Sequence, residues 1–278
     1  MEKLAFKVNR RVKEVLGSST LAITARAKEL QSQGFDVVNF AAGEPDFDTP
    51  LAIKAAAIKA IENGLTKYTP STGTIELRKA ISAKFKKDNQ LDYTPNQIAV
   101  SCGAKHSIFN IIHVLADDGD EVLIPSPYWV SYPEMVKIAG AVSKFIPASA
   151  ENNFKITASQ LAESITPQTK IFIINSPSNP TGMVYSRQEL ESLAGICVKH
   201  RIFMISDEIY EKLIYDATEY VSVAALSKEA YALTLTVNGV SKAYSMTGWR
   251  IGYCAGPQEI MDVIKNFQDH STSNPAYI

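Results

Sequence analysis

Ser241-Lys242-Ala243-Tyr244-Ser245-Met246-Thr247-Gly248-Trp249-Arg250-Ile251-Gly252-Tyr253 places an amine eight residues ahead of a guanidinium, just before a short apolar run. Two upstream segments supply what these cations lack. Asn175-Ser176-Pro177-Ser178-Asn179-Pro180-Thr181-Gly182 carries amides at turn positions, and Ser206-Asp207-Glu208-Ile209-Tyr210 carries a carboxylate and a phenol at the end of an apolar run. Together they form a set suited to a phosphorylated aldehyde: an amine for a Schiff base, an arginine for the phosphate, and a carboxylate and an amide for the ring.

The surrounding chain is not basic. Its 278 residues carry 28 Lys+Arg against 29 Asp+Glu, a net charge of -1, which gives no electrostatic reason to bind nucleic acid or an anionic membrane. The predicted partners are small molecules and a second copy of the chain. A hydrophobic content of 46% is ample for one large α/β domain or two modest ones. No apolar run approaches the roughly 18 residues of a membrane helix. Cys102, Cys197 and Cys254 are odd in number and widely spaced, fit neither a disulfide framework nor a zinc pair, and read as buried thiols of a reducing, cytoplasmic compartment. The first residues mix Lys7, Arg10, Arg11 and Lys13 with Glu2 and Glu14 and lack an apolar h-region, so they read as an arm rather than a targeting segment.

Short β-branched runs alternate with longer amphipathic ones, the pattern of a mostly parallel sheet covered by helices. Strands are predicted over 98–101, 121–124, 142–146, 170–175, 202–206, 233–237 and 251–254, and helices over 21–33, 51–63, 74–88, 105–116, 130–139, 187–200 and 258–267. Thr49-Pro50, Thr74 with Glu76 in the first turn, and Ser186 with Glu189 mark helix starts. The turn-rich 43–50 segment separates residues 1–48, an arm with part of a small domain, from a large domain over 49–278, and a second, smaller layer is expected to begin near Pro257 or just beyond.

In an open parallel sheet the ligand crevice lies beyond the C-terminal strand ends, where Asp207, Asn179 and Lys242 fall. A carboxylate there would keep a pyridine nitrogen protonated, although Asp207 alone would read as a helix N-cap. Asn179 and Tyr210 could donate to a ring hydroxyl, although Asn179-Pro180-Thr181-Gly182 is by itself only a turn. Lys242 needs a lowered pKa to act as nucleophile and base, which partial burial among cations supplies. Arg250 suits bidentate phosphate binding, and Gly103-Ala104-Lys105, between a strand and a helix, offers backbone N–H groups to the same anion. Trp129 could stack on a flat ring or fill the core. His106 and His113 lie two turns apart on one helix face without metal-site spacing, so no metal is predicted.

With Ala42-Gly43-Glu44-Pro45-Asp46-Phe47-Asp48-Thr49-Pro50, Lys67-Tyr68-Thr69-Pro70 and Ser126-Pro127-Tyr128-Trp129-Val130-Ser131-Tyr132 added, the chain resembles the fold-type I pyridoxal phosphate enzymes, and among them the class I aminotransferases near the bacterial aspartate aminotransferases. The likeness runs along nearly the whole chain. It implies an α/β fold whose large domain has a mostly parallel seven-stranded sheet flanked by helices, with an incomplete small domain. It also implies pyridoxal 5'-phosphate as cofactor. Lys242 would be the catalytic residue bonded to the aldehyde, Asp207 would meet the ring nitrogen, Asn179 and Tyr210 the ring hydroxyl, and Trp129 the ring face. Arg250 with Gly103, Ala104 and Lys105 would hold the phosphate. Tyr68 would reach the phosphate of a neighbouring subunit's cofactor, which implies a homodimer with shared active sites. Gly43, with Trp129 and Asn179, would meet the substrate. The implied reaction is ping-pong transfer of an amino group, from aspartate first, to 2-oxoglutarate.

Two departures from the family pattern bear on this. Members continue into a C-terminal segment that completes the small domain and supplies an arginine for the α-carboxylate, and no residue here takes that place. The arm and the last helix should then leave apolar surface uncovered. His113 falls where some relatives carry a cation for acidic side chains, which leaves the dicarboxylate preference open. A lyase or decarboxylase would use the same constellation, since it does not fix which bond to Cα breaks; a non-catalytic cofactor-binding protein is the reading from another class.

Overall fold

Runs such as Ile171-Phe172-Ile173-Ile174 show no polar alternation because the strand they form is covered on both faces. Seven such strands make one sheet: β1 (Ile98–Ser101), β2 (Glu121–Ser126), β3 (Val142–Pro147), β4 (Thr169–Asn175), β5 (Phe203–Asp207), β6 (Thr234–Gly239) and β7 (Gly252–Ala255). Their order is β1-β7-β6-β5-β4-β2-β3, parallel throughout except for β7, which runs antiparallel to β6 and β1. The computed structural model describes residues 7–216 and 218–278, so the part of the N-terminal reading that falls on 1–6 lies outside the described residues.

The helices are α1 (Arg10–Lys13), α2 (Ser19–Ser32), α3 (Leu51–Glu62), α4 (Ile75–Asn89), α5 (Ala104–Leu115), α6 (Ser131–Ala139), α7 (Ala158–Ser164), α8 (Arg187–His200), α9 (Lys228–Leu233) and α10 (Gln258–Asp269). One sheet face packs on α5, α6 and α10 through Ile108, Val136, Ile205, Val237 and Ile264. The other packs on α7 and α8 through Phe172, Leu161 and Leu193, and on α4 through Phe85, Val100 and Tyr253. A fully buried side chain of this size contributes about 1.5–3 kcal/mol.

The predicted caps are in place. Thr74 accepts from Leu77 N at 3.2 Å, and Ser186 and Glu189 form a reciprocal capping box at α8. α10, which follows Pro257, packs on the large core, burying Met261 and Ile264 against α5. Cys102 is also less buried than expected; only Cys197 and Cys254 are fully enclosed thiols. As expected, the arm presents apolar surface, with Phe40 92% and Phe47 78% exposed, whereas the last helix leaves out only the flank bearing Val263. Among the described residues no helix is long and apolar enough to cross a membrane.

Register brings one edge of the sheet into line. Asn175 pairs with Asp207, and Gly252 pairs with both Gly239 and Ser101. The strand ends and the segments leaving them therefore share one crevice.

Candidate active site

One end of that crevice is built for an anion. Gly103 precedes α5 with φ 91°, a conformation that favours glycine, and no side chain caps the helix. A Cβ on Gly252 would stand 2.0 Å from Ala104 N, so only glycine lets β7 come this close to the start of α5. Arg250 lies just before β7 rather than opening it, in the left-handed region at φ 55°. Its guanidinium donates to Thr247 O at 2.9 Å and Cys102 O at 3.3 Å. Lys105 Nζ stands 5.0 Å from the Trp129 ring centroid; burial lowers its pKa and the Arg250 charge lowers it further. Two cations and a helix N-terminus thus converge, and among the described residues no carboxylate forms an ion pair with either cation.

The other end holds the carboxylate. Asp207 is 3% exposed and accepts from the Tyr132 hydroxyl at 2.7 Å and Ile209 N at 3.3 Å. Burial pushes its pKa up to about 6, against the pull of those two donors. It is the last residue of β5, and its carboxylate orders the turn that follows rather than capping a helix.

A chain of contacts joins the two ends. Asn175 Nδ2 donates to Asp207 O at 2.9 Å, Asn179 N donates to Asn175 Oδ1 at 2.6 Å, and Asn179 Nδ2 donates to the Tyr210 hydroxyl at 3.4 Å. Lys242 Nζ lies 5.7 Å from the Tyr210 ring centroid and donates to Gly43 O. Burial lowers the Lys242 pKa; Glu44 opposes the shift and Arg250 adds to it. On the far side Trp129 packs edge-on against Tyr132 at 5.3 Å. Contacts thus run from Asp207 through Asn175, Asn179 and Tyr210 to Lys242, and from Asp207 through Tyr132 and Trp129 to Lys105, with the Arg250 charge acting on both lysines.

Residues 36–277 match the family described as aminotransferase class I and II. The chain belongs to the class I and II aminotransferases. It is 56% identical over 265 residues to an aspartate aminotransferase of Bacillus sp. (strain YM-2), a match spanning 95% of this chain and 68% of that protein. The aspartate aminotransferase of Geobacillus stearothermophilus is 53% identical over 272 residues, 98% of this chain and 69% of its own length. The solved aspartate aminotransferase from Thermus thermophilus with maleate superposes with a TM-score of 0.95 at 45% identity, covering 98% of this chain and 70% of that one. The seven-stranded α/β fold is the one expected from the resemblance.

Of the residues singled out in the sequence, this aminotransferase chain brings together Gly43, Gly103, Ala104, Lys105, Trp129, Asn179, Asp207, Tyr210, Lys242 and Arg250. Tyr68 is not among them: it is 92% exposed, beside the 272–278 segment. His113 is a correction. It sits in the last turn of α5, with its ring 3.9 Å from that of Phe109 and 5.7 Å from that of Phe267, at the opposite end of the helix from the site. Sequence reasoning gave no role to Tyr132, the hydroxyl donor to Asp207, although its place three residues after Trp129 at a helix start was a usable signal. It also missed the clasp that holds the arm: Thr49 Oγ1 donates to Ser245 O at 2.5 Å, Trp249 Nε1 donates to Thr49 Oγ1 at 3.0 Å, and Thr247 Oγ1 donates to Glu44.

The Asp207 shift carries a stability consequence. Its folded-state pKa of about 6 lies above the ordinary 3.8, so between those values the folded chain keeps a proton that the unfolded chain releases. That stabilisation is complete below pH 3.8 and is lost as pH rises through about 6. In the ligand-free chain, Asp207→Asn should therefore gain on the wild type between pH 4 and pH 8, by roughly 3 kcal/mol, in urea unfolding across that range. A difference independent of pH would mean that the carboxyl titrates normally.

Proposed function

We propose that this chain is a pyridoxal 5'-phosphate-dependent aminotransferase that moves an amino group from aspartate to 2-oxoglutarate by a ping-pong mechanism. The observation that carries this reading is one crevice with a buried carboxylate at one end, a half-buried amine between, and at the other end two cations that, among the described residues, have no carboxylate partner. The donor set fits the cofactor. Arg250 and the amides of Gly103, Ala104 and Lys105 would hold its phosphate, Asp207 its ring nitrogen, and Asn179 and Tyr210 its ring hydroxyl, with Trp129 against the ring. When bound, pyridoxal phosphate supplies an aldehyde for the amino group and a ring that draws electrons from the substrate's Cα.

The chain's own groups do the rest. Lys242 is the amine that would hold the aldehyde carbon, and its lowered pKa suits it to carry a proton at the substrate's Cα. Asp207, ionised above about pH 6, would favour a protonated ring nitrogen, and Tyr132 orients the carboxylate through its hydroxyl. Gly43 lies beside the Tyr210 hydroxyl, where its backbone can meet a substrate carboxylate. With His113 remote, Lys105 is the cation in the site that can receive an acidic side chain. Exposed Tyr68 would complete the site of a second subunit, and the apolar arm supports such a homodimer.

Three measurements test this. Lys242→Ala should abolish both borohydride-reducible attachment of pyridoxal phosphate and transamination of aspartate with 2-oxoglutarate; a reducible link retained at the same site would sink the assignment. Lys105→Ala should lower kcat/KM for aspartate roughly tenfold or more while sparing neutral amino acids, and equal losses would move the recognition elsewhere. Sedimentation of the cofactor-loaded protein should give twice the 30.4 kDa chain mass, and a monomer would remove the role given to Tyr68.

A further inference from the structure

Behind Asp207, a second buried acid faces away from the crevice. Glu208 is 1% exposed, and among the described residues no lysine, arginine or histidine pairs with it. Its Oε1 accepts from Ser206 Oγ at 2.8 Å and Ser222 Oγ at 2.7 Å, and its Oε2 accepts from Asn89 Nδ2 at 3.4 Å. Its backbone N donates to Val237 O at 2.8 Å, and its carbonyl accepts from Glu211 N at 3.0 Å. Asn89, the last residue of α4, also donates to Glu211 at 2.6 Å, and Glu211 in turn takes the ammonium of Lys84. The nearby lysine thus neutralises Glu211 and leaves Glu208 to hydroxyl and amide donors.

A buried carboxylate without a cation is a poor way to gain stability, since an apolar side chain would pack there without the desolvation cost. What it gains is geometry. One carboxylate with two oxygens ties together β5 through Ser206, α4 through Asn89 and the 220–222 segment through Ser222, from a residue flanked by Asp207 on one side and Ile209-Tyr210 on the other. Asp207 faces Tyr132 on α6, while Glu208 faces α4, so the same short turn is held from both sides. We propose that Glu208 is a positioning residue for the reaction, fixing the turn that carries Asp207 and Tyr210 so that both stay aimed into the crevice. This rests on the reading of Asp207 and Tyr210 as cofactor-facing groups.

The test pairs a readout that needs no cofactor with one that does. In the ligand-free protein, the Asp207 carboxyl is titrated by carbon NMR in the wild type, Glu208→Ala, Glu208→Gln and Ser222→Ala. Burial holds the Asp207 pKa up to about 6, so a loosened turn that admits water should bring it down toward the ordinary 3.8 in Glu208→Ala. Ser222→Ala should shift it less in the same direction, and it carries the test if Glu208→Ala does not fold. Pyridoxal phosphate affinity should fall about tenfold in Glu208→Ala, with part of the loss restored in Glu208→Gln, which keeps an acceptor for both serine hydroxyls. If Glu208→Ala and Ser222→Ala unfold more easily but leave the Asp207 titration and the affinity unchanged, Glu208 is packing and the proposal falls. A wild-type protein that does not take up the cofactor would overturn the proposed function instead, while the NMR titration would still decide the role of Glu208.

Discussion

Asp207 keeps a carboxyl at the end of a buried strand with a tyrosine hydroxyl and one backbone amide for partners and, among the described residues, no cation paired with it. Such a group is stable only when its surroundings leave it nowhere else to go. The Tyr132 hydroxyl must reach it, which requires α6 to start just after Trp129; the Asn175 amide must hold its carbonyl, which requires β4 and β5 to be in register. Once those conditions are met, Asn179 and Tyr210 have little freedom, because each hangs from a residue already placed.

All seven strands were legible because a doubly covered parallel sheet writes itself as short apolar runs separated by amphipathic ones. The seven anticipated helices were long enough for their apolar faces or cap residues to speak. α1, α7 and α9 were not anticipated, being 4, 7 and 6 residues long and too short for a helical period to stand out, although Thr157 and Gln160 form a capping box that the sequence contained. Site residues were legible where they belong to contiguous motifs, as Lys242 and Arg250 do. The Tyr132–Asp207 and Glu208–Asn89 contacts span 75 and 119 residues, and nothing local in the chain announces them.

The sequence also misled where it was read by position alone. His113 and Lys105 lie on the same helix, and counting along the chain favoured the former. The turn at which α5 meets the sheet puts Lys105 at the crevice and His113 in an aromatic stack between α5 and α10. Which end of a helix faces the strand ends is a property of topology, and residue type does not carry it.

The near-contact of Gly252 with the first residues of α5 has an effect beyond local fit. With no side chain between them, β7 and α5 are interlocked backbone to backbone, and the guanidinium just ahead of β7 is seated on the same helix end. That half of the crevice is held backbone against backbone. The amine half has no such lock, since Lys242 reaches across to an arm held by a few side-chain hydrogen bonds. A bound molecule would therefore be anchored at a stiff pole and adjusted at a compliant one, with its fit tuned from the amine side.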